Sequence, residues 1–169
     1  MRFLSLLPGL VVATGLVIAA GLATGIGPGV GASMAHSLDH AQFGAGEPGD
    51  ADKPARAVTI TMRETGDGRM IFSPDTVTAK PGEQIRFEIK NAGASEHEFM
   101  LDTVEHNARH KEAMEKNPRM MHDDPNGKRL DPGQSAGLVW RFTKPGTFEY
   151  ACLIPGHFEA GMHGSVFVK

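Results

Sequence analysis

Residues 147–169, TFEYACLIPGHFEAGMHGSVFVK, contain two β-type runs and a loop with three chemically distinctive side chains. The runs TFEYACL and SVFVK are rich in aromatic and β-branched residues, which favour strands. The loop between them carries Cys152, His157 and Met162 at intervals of five residues. A chain that leaves one strand, turns at a Pro-Gly pair and returns to the next strand can bring these three side chains around one point.

One distant histidine completes a ligand set for a single metal ion. His97 lies in the segment NAGASEHEF, about 55 positions before Cys152. A thiolate and two imidazoles form a trigonal site, and a thioether can approach weakly along its axis, which is the ligand combination that tunes copper for electron transfer. The pattern therefore predicts that one copper ion is bound by His97, Cys152, His157 and Met162.

The rest of the chain after residue 57 consists of short β-type runs separated by turn residues. Ile85, Phe87 and Ile89 alternate with charged residues, which places one face of this strand on a core and the other in water. Pro-Gly pairs precede several runs and favour tight turns. We predict an all-β fold, a β-sandwich, with seven strands over 58–62, 76–80, 84–91, 97–101, 135–143, 147–153 and 165–169.

Residues 103–124 interrupt this pattern. They lack alternation and contain helix-forming residues before Pro118, which predicts a short helical insertion between strands. His106, His110 and Met114 recur every four residues and would lie on one helical face, where soft methionine with histidine suits Cu(I). The alternative is an ordinary amphipathic helix whose Met114 packs on the sandwich and whose histidines are solvated.

The N-terminus reads as a secretory signal over residues 1–35. It begins with one arginine and then runs uncharged through Leu38. Cleavage after Ala32 and after Ala35 both fit the small-residue pattern, and we favour Ala35. The uncharged stretch is also long enough to span a bilayer, so the alternative is an uncleaved membrane anchor.

Residues 36–56 are rich in Gly, Ala, Asp and Pro and have few large apolar side chains, which predicts a flexible arm before a domain at 57–169. After cleavage, His36 and His40 could chelate Cu(II).

The formal net charge of −3 provides no basic field for nucleic acid. The single cysteine cannot form an internal disulfide, and a metal ion would protect it in an oxidising compartment such as the periplasm.

Residues 57–169 resemble a cupredoxin, the type 1 copper fold shared by plastocyanin, azurin and rusticyanin. The spacing of Cys152, His157 and Met162 is most similar to that of rusticyanin, and the insertion resembles that of small periplasmic cupredoxins implicated in copper tolerance. The resemblance implies a Greek-key sandwich with one type 1 copper. It also implies that His97 and His157 bind through Nδ1, Cys152 as thiolate and Met162 as axial ligand.

One departure from the cupredoxin pattern is Glu98, which follows the first ligand where many members have Asn or another small polar residue. That residue hydrogen-bonds across the site, and an ionised carboxylate cannot donate such a bond. The hydrogen bonding around the metal, and with it the colour and potential of the site, is therefore expected to differ.

The predicted function is that of a periplasmic one-electron carrier, with copper tolerance as the alternative. A metal whose four positions are filled by protein leaves no open position for a substrate, so we do not expect an enzyme. A cytochrome or copper enzyme is expected to dock near His157, on the surface around Ile154, Pro155, Phe158 and Ala160. Membrane contact is expected only if the N-terminal segment is uncleaved.

Overall fold

Two facing β-sheets form the framework of the protein. The computed structural model describes residues 43–118 and 124–169. All seven predicted strands are present within these ranges, and one short helix occupies the predicted insertion. The elements are β1 (Glu47–Pro48), β2 (Arg56–Glu64), β3 (Met70–Ser73), β4 (Thr76–Ala79), β5 (Gln84–Asn91), β6 (His97–Asp102), α1 (Val104–Lys116), β7 (Gly127–Leu130), β8 (Ser135–Arg141), β9 (Gly146–Ala151) and β10 (His163–Val168).

The strand order requires repeated crossing between the two sheets. One sheet has the order β1-β8-β5-β2-β3 and the other has the order β4-β10-β9-β6-β7. The pairs β2–β5 and β4–β10 are parallel, whereas the other described pairs are antiparallel. This topology places β6 directly beside β9, although the helix and two strands separate them in the chain.

Side chains from both sheets fill the space between them. On β5, Ile85, Phe87 and Ile89 are fully buried, as the alternation predicts. From the opposite sheet, the rings of Phe99 and Tyr150 stack with their centroids 5.3 Å apart. Full burial of one such side chain stabilises the fold by about 1.5–3 kcal/mol. The core therefore holds β6 and β9 in the positions from which the copper-site residues project.

Two of the Pro-Gly pairs form the predicted turns, whereas Gly146 of the third pair has φ +158° and begins β9. Gly82 has φ +81° and the N–H of Glu83 donates to the carbonyl of Lys80 at 3.0 Å. Gly133 has φ +79° in the equivalent turn before β8. Proline presets the first central position of these turns and glycine accepts the positive φ of the second.

The sandwich begins earlier than the sequence predicts. The composition predicts a flexible arm through residue 56, but β1 pairs with β8 at the sheet edge. Phe43 packs edge-on against Trp140 with centroids 5.3 Å apart, and Trp140 Nε1 donates to the carbonyl of Ala45 at 3.1 Å. Packing of Phe43 against Trp140 and pairing of β1 with β8 thus hold this segment on the sheet despite its polar composition.

The predicted secretory signal, residues 1–35, lies outside the described residues, as do His36 and His40. Over residues 43–118 and 124–169, no helix is both long and apolar enough to cross a membrane. Cleavage and anchorage of the N-terminal segment remain predictions.

Helix α1 lies against the face of β6 and β9 that is turned away from the main core. The side chain of Thr103 caps its start by accepting a hydrogen bond from the N–H of His106 at 3.2 Å. Met114 is fully buried in a small apolar cluster with Met100, Ala151 and Leu153. The helical insertion is confirmed, and its methionine packs on the sandwich.

Candidate metal centre

The loop between β9 and β10 is closed by its own backbone. Cys152 N–H donates to the carbonyl of Met162 at 3.0 Å, and Met162 N–H donates to the carbonyl of His157 at 3.1 Å. Inside the loop, His157 N–H donates to the carbonyl of Ile154 at 3.0 Å, and Gly156 has φ +88°. The Pro155-Gly156 pair thus makes the turn that directs His157 back towards Cys152.

Three of the four predicted ligands meet at one point. The ligand atoms of His97, Cys152 and His157 lie within 4.8 Å of one another. The Nδ1 atoms of the two histidines are 3.2 Å apart, and Nδ1 of His157 is 3.4 Å from Sγ of Cys152. A thiol and two imidazole Nδ1 atoms that face one another form a donor set that suits copper, so the residues present fit the predicted metal.

Met162 lies at the end of the same loop. Its side chain is fully buried in the main core cluster, and its backbone is bonded to both Cys152 and His157. Met162 therefore lies in the same closed loop as Cys152 and His157, and its role as axial ligand remains a prediction.

Burial sets the protonation state of the metal-free site. It raises the pKa of the Cys152 thiol to about 12, although a hydrogen bond from the Glu98 N–H to Sγ, at 3.2 Å, opposes the shift. Burial also lowers the pKa of His97, against the opposing charge of Glu64, and it lowers the pKa of His157. Both imidazoles are therefore neutral near pH 7, the form that binds metals, whereas the thiol must release a proton when it binds one.

Glu98 joins the two sides of the site in a way the sequence does not predict. Besides the bond from its N–H to the Cys152 sulfur, its carboxylate Oε2 accepts a hydrogen bond from Leu153 N–H at 3.3 Å. Glu98 is 1% exposed. A bond across the site is thus present with the Glu98 carboxylate as acceptor, opposite in direction to the donated bond of the cupredoxin pattern.

Glu64 is a site residue that no motif in the sequence marks. Its Oε1 lies 3.1 Å from Nε2 of His97, on the side of the ring opposite Nδ1. Although burial acts to raise the pKa of Glu64, hydrogen bonds including those from the N–H groups of Ala94 and Ser95 lower it to about 2. No periodic pattern marks a contact between residues 33 positions apart.

The two histidines differ in exposure. His97 is fully buried, whereas His157 is half-buried and lies on the rim formed by the loop. The neighbouring Phe158 is also half-buried; it stacks on His163 with centroids 4.9 Å apart and carries the Lys111 ammonium 5.5 Å from its ring centroid. His157 is thus the histidine closer to solvent.

On helix α1, the structure shows where Met114 and His106 of the second predicted cluster lie. Among the described residues, His97, Cys152 and His157 form the one group of three or more His, Cys, Asp or Glu side chains with converging ligand atoms. His106 Nδ1 is 3.1 Å from a carboxylate oxygen of Asp102, and Met114 is buried beneath the helix. The packing alternative therefore accounts for Met114, and copper binding by His106 and His110 stays a prediction.

A two-sheet sandwich that brings one buried thiol and two imidazole Nδ1 atoms together has the architecture of a type 1 copper protein, a cupredoxin. The chain belongs to the plastocyanin/azurin family of copper-binding proteins, whose family model matches residues 59–169. One copper ion is therefore the cofactor implied by both the family and the converging donors.

Several relatives carry the name copper-resistant cuproprotein CopI. The one from Rubrivivax gelatinosus is 47% identical over 135 residues, which cover 80% of this chain and 79% of the relative. The one from Pseudomonas aeruginosa is 36% identical over 168 residues, which cover 82% of this chain and 90% of the relative. Among solved structures, auracyanin B aligns with a TM-score of 0.58 at 24% identity, covering 76% of this chain and 99% of auracyanin B, a likeness that shows the fold alone.

Proposed function

We propose that this protein is an exported, periplasmic type 1 copper protein that works in copper tolerance. The names of its relatives support the process, since two proteins that match most of its length are called copper-resistant cuproproteins. The signal-like pattern of residues 1–35 supports the location.

The observation that carries the copper-binding part is the convergence of His97, Cys152 and His157 within 4.8 Å. Copper would supply a one-electron change between Cu(II) and Cu(I). The three donors lie on β6 and on the closed loop, Cys152 is shielded from water, and Met162, whose backbone closes the same loop, is the proposed fourth ligand. With all four positions supplied by protein, the role needs no open metal position and no bond-making on a substrate.

The test of the site is the visible absorption and EPR spectrum of residues 36–169 after addition of one equivalent of Cu(II) and then ascorbate. We expect intense blue-to-green absorption that bleaches on reduction. A pale spectrum with the EPR parameters of an ordinary type 2 copper would show that Cys152 is not a ligand, and it would contradict the type 1 assignment.

The test of the process is growth of the host on copper after deletion of the gene, with complementation by wild type and by Cys152→Ser. Copper sensitivity with normal respiration, rescued by wild type and not by the variant, is the expected result. Rescue by Cys152→Ser to the wild-type level would show that copper tolerance does not depend on the type 1 site.

A second candidate is a dedicated one-electron carrier, and the half-buried position of His157 favours it. In this role a cytochrome or copper enzyme would dock on the surface formed by Ile154, Pro155, Phe158 and Ala160. Phe158→Asp should then slow reduction by the donor without bleaching the copper band, and unchanged rates would remove this surface from consideration. Deletion that impairs respiration without copper sensitivity would favour the carrier over tolerance.

A further inference from the structure

We propose that Glu64 is a positioning residue of the copper site: its carboxylate holds His97 with Nδ1 free for the metal and biases the bound copper towards Cu(II). The inference rests on the proposed function, because it concerns the same copper site. It extends that function by assigning a role in setting the redox potential to a residue that contributes no ligand atom.

The first support is the contact itself. Glu64 is the last residue of β2, and its Oε1 lies 3.1 Å from Nε2 of the fully buried His97. A carboxylate at this distance accepts the ring N–H, so the proton resides on Nε2 and the Nδ1 lone pair is left to face Cys152 and His157. A hydrogen bond to the second ring nitrogen is the means by which proteins fix the tautomer and orientation of a metal-binding histidine.

The second support is that the carboxylate is itself held in place. Its Oε2 accepts from Ala94 N–H at 2.8 Å, and its Oε1 accepts from Ser95 N–H at 2.9 Å. Asn91 braces the same loop, since its side-chain amide donates to the carbonyl of Ser95 at 2.8 Å and its Oδ1 accepts from Gly93 N–H at 2.9 Å. The loop before His97 thus aims the carboxylate at the imidazole before any metal binds.

The third support is the close approach of the backbone at Gly93. A Cβ atom at this position would lie 2.3 Å from Oε2 of Glu64 and 2.9 Å from Nε2 of His97. Both distances are too short for a carbon atom, so any larger residue would have to displace the carboxylate, the imidazole or the loop backbone. Glycine at position 93 is what lets these two groups meet.

The direction of the redox effect follows from charge. A negative charge one imidazole away from the metal stabilises the more highly charged Cu(II) over Cu(I). The carboxylate of Glu96, which also lies near the site, has Arg129 as an ion-pair partner at 2.6 Å and is therefore compensated. Glu64 instead faces a neutral imidazole and two amides, so its charge acts on the metal ligand directly.

The experiment compares two changes that separate charge from contact. Glu64→Gln removes the charge but keeps an oxygen that can accept the His97 N–H, and Gly93→Ala keeps the charge but displaces it. Glu88→Gln, on the exposed face of β5, is the matched charge control. Gly66→Ala, where an added Cβ meets nothing within 4 Å, is the matched control for the glycine.

Two measurements are made on each protein. The first is the ratio of Cu(II) to Cu(I) affinity, obtained from the reduction potential. We expect it to fall about tenfold in both test variants, equivalent to an increase of about 59 mV for a one-electron couple, and to change less than about twofold in both controls. The second is the ¹⁵N NMR spectrum of the His97 ring in the metal-free protein, which should show the Nε2–H tautomer in wild type and in Glu64→Gln and a mixture in Gly93→Ala.

An unchanged affinity ratio in Glu64→Gln, in a background where wild type shows the type 1 spectrum, would overturn the inference and leave the proposed function intact. A metal-free wild type whose His97 carries its proton on Nδ1 would overturn it as well. A wild type without the type 1 spectrum would instead overturn the proposed function. If Gly93→Ala does not fold, Glu64→Gln and Glu88→Gln decide the question alone.

Discussion

The loop over residues 152–162 and helix α1 both carry histidine and methionine at regular intervals, yet they use them differently. In the helix, a four-residue spacing places His106, His110 and Met114 on one face, and the same regularity turns Met114 onto the sandwich. In the loop, backbone turns and a distant strand direct the side chains to one point. Helical periodicity is thus better evidence for packing, whereas ligands on a closed loop and a separate strand are better evidence for a metal site.

The largest effect should come from removing the thiol. Cys152→Ser is expected to abolish the intense absorption band completely, because that band requires a copper–thiolate bond. The fold should persist, since the two sheets do not depend on the sulfur, and far-UV circular dichroism is the check. A full-strength band in the variant would show that Cys152 is not bound to copper. The loop would then no longer differ from the helix as a metal site.

The converse change removes the buried methionine of the helix. Met114→Ala should lower the free energy of unfolding by about 2–5 kcal/mol, because it leaves a cavity between α1 and the second sheet. Met114→Leu, which conserves volume, should cost less than about 1.5 kcal/mol. Urea denaturation measures both, and the visible spectrum of the copper-loaded variants should match that of wild type. A changed spectrum would mean that the helix contributes to the site.

A pH dependence should report the buried thiol of the loop in the metal-free protein. The folded-state pKa of Cys152 is raised from 9.0 to about 12 by burial, so the stability it provides is complete below pH 9 and is lost as the pH rises towards 12. Relative to Cys152→Ser, the free energy of unfolding of wild type should fall by about 1.4 kcal/mol per pH unit in this window. Tyr150, whose pKa burial also raises, is present in both proteins and cancels in the comparison. If the free energies of unfolding of wild type and Cys152→Ser changed in parallel with pH, the raised pKa of the Cys152 thiol would be contradicted.

The smallest effect is expected from the helix histidines. His106→Ala together with His110→Ala should leave copper stoichiometry unchanged, because His97, Cys152 and His157 form the one converging group of His, Cys, Asp or Glu side chains among the described residues. Equilibrium dialysis followed by metal analysis of the wild type and the double variant measures this. A lower stoichiometry in the variant would revive the copper-binding interpretation of this helical face.

Much of this architecture could be predicted from the sequence, and the reasons are physical. The seven predicted strands alternate or carry β-branched runs, and Cys152, His157 and Met162 share one short loop. Strands β1, β3 and β7 escaped prediction because they have only two to four residues and show no clear alternation. They exist because neighbouring strands offer edges to pair with.

The part of the site that could not be predicted consists of contacts between distant segments. Glu64 meets His97 because β2 and the loop before β6 end at the same side of the sandwich and Gly93 leaves room. The acceptor role of Glu98 likewise depends on β6 lying beside β9, which places Leu153 N–H within reach. Such contacts follow from tertiary arrangement, and neither residue type nor local spacing encodes them.

The docking of the segment around Phe43 on Trp140 provides an intrinsic optical probe. Trp140 is the only tryptophan in the chain, it is fully buried, and its indole N–H is bonded to the carbonyl of Ala45. Its fluorescence emission therefore reports hydration at one position, the seam between β1 and β8. Detachment of this seam would shift the emission to longer wavelength while the copper spectrum, which originates in the loop, stays the same, so local opening and loss of metal can be followed separately in one sample.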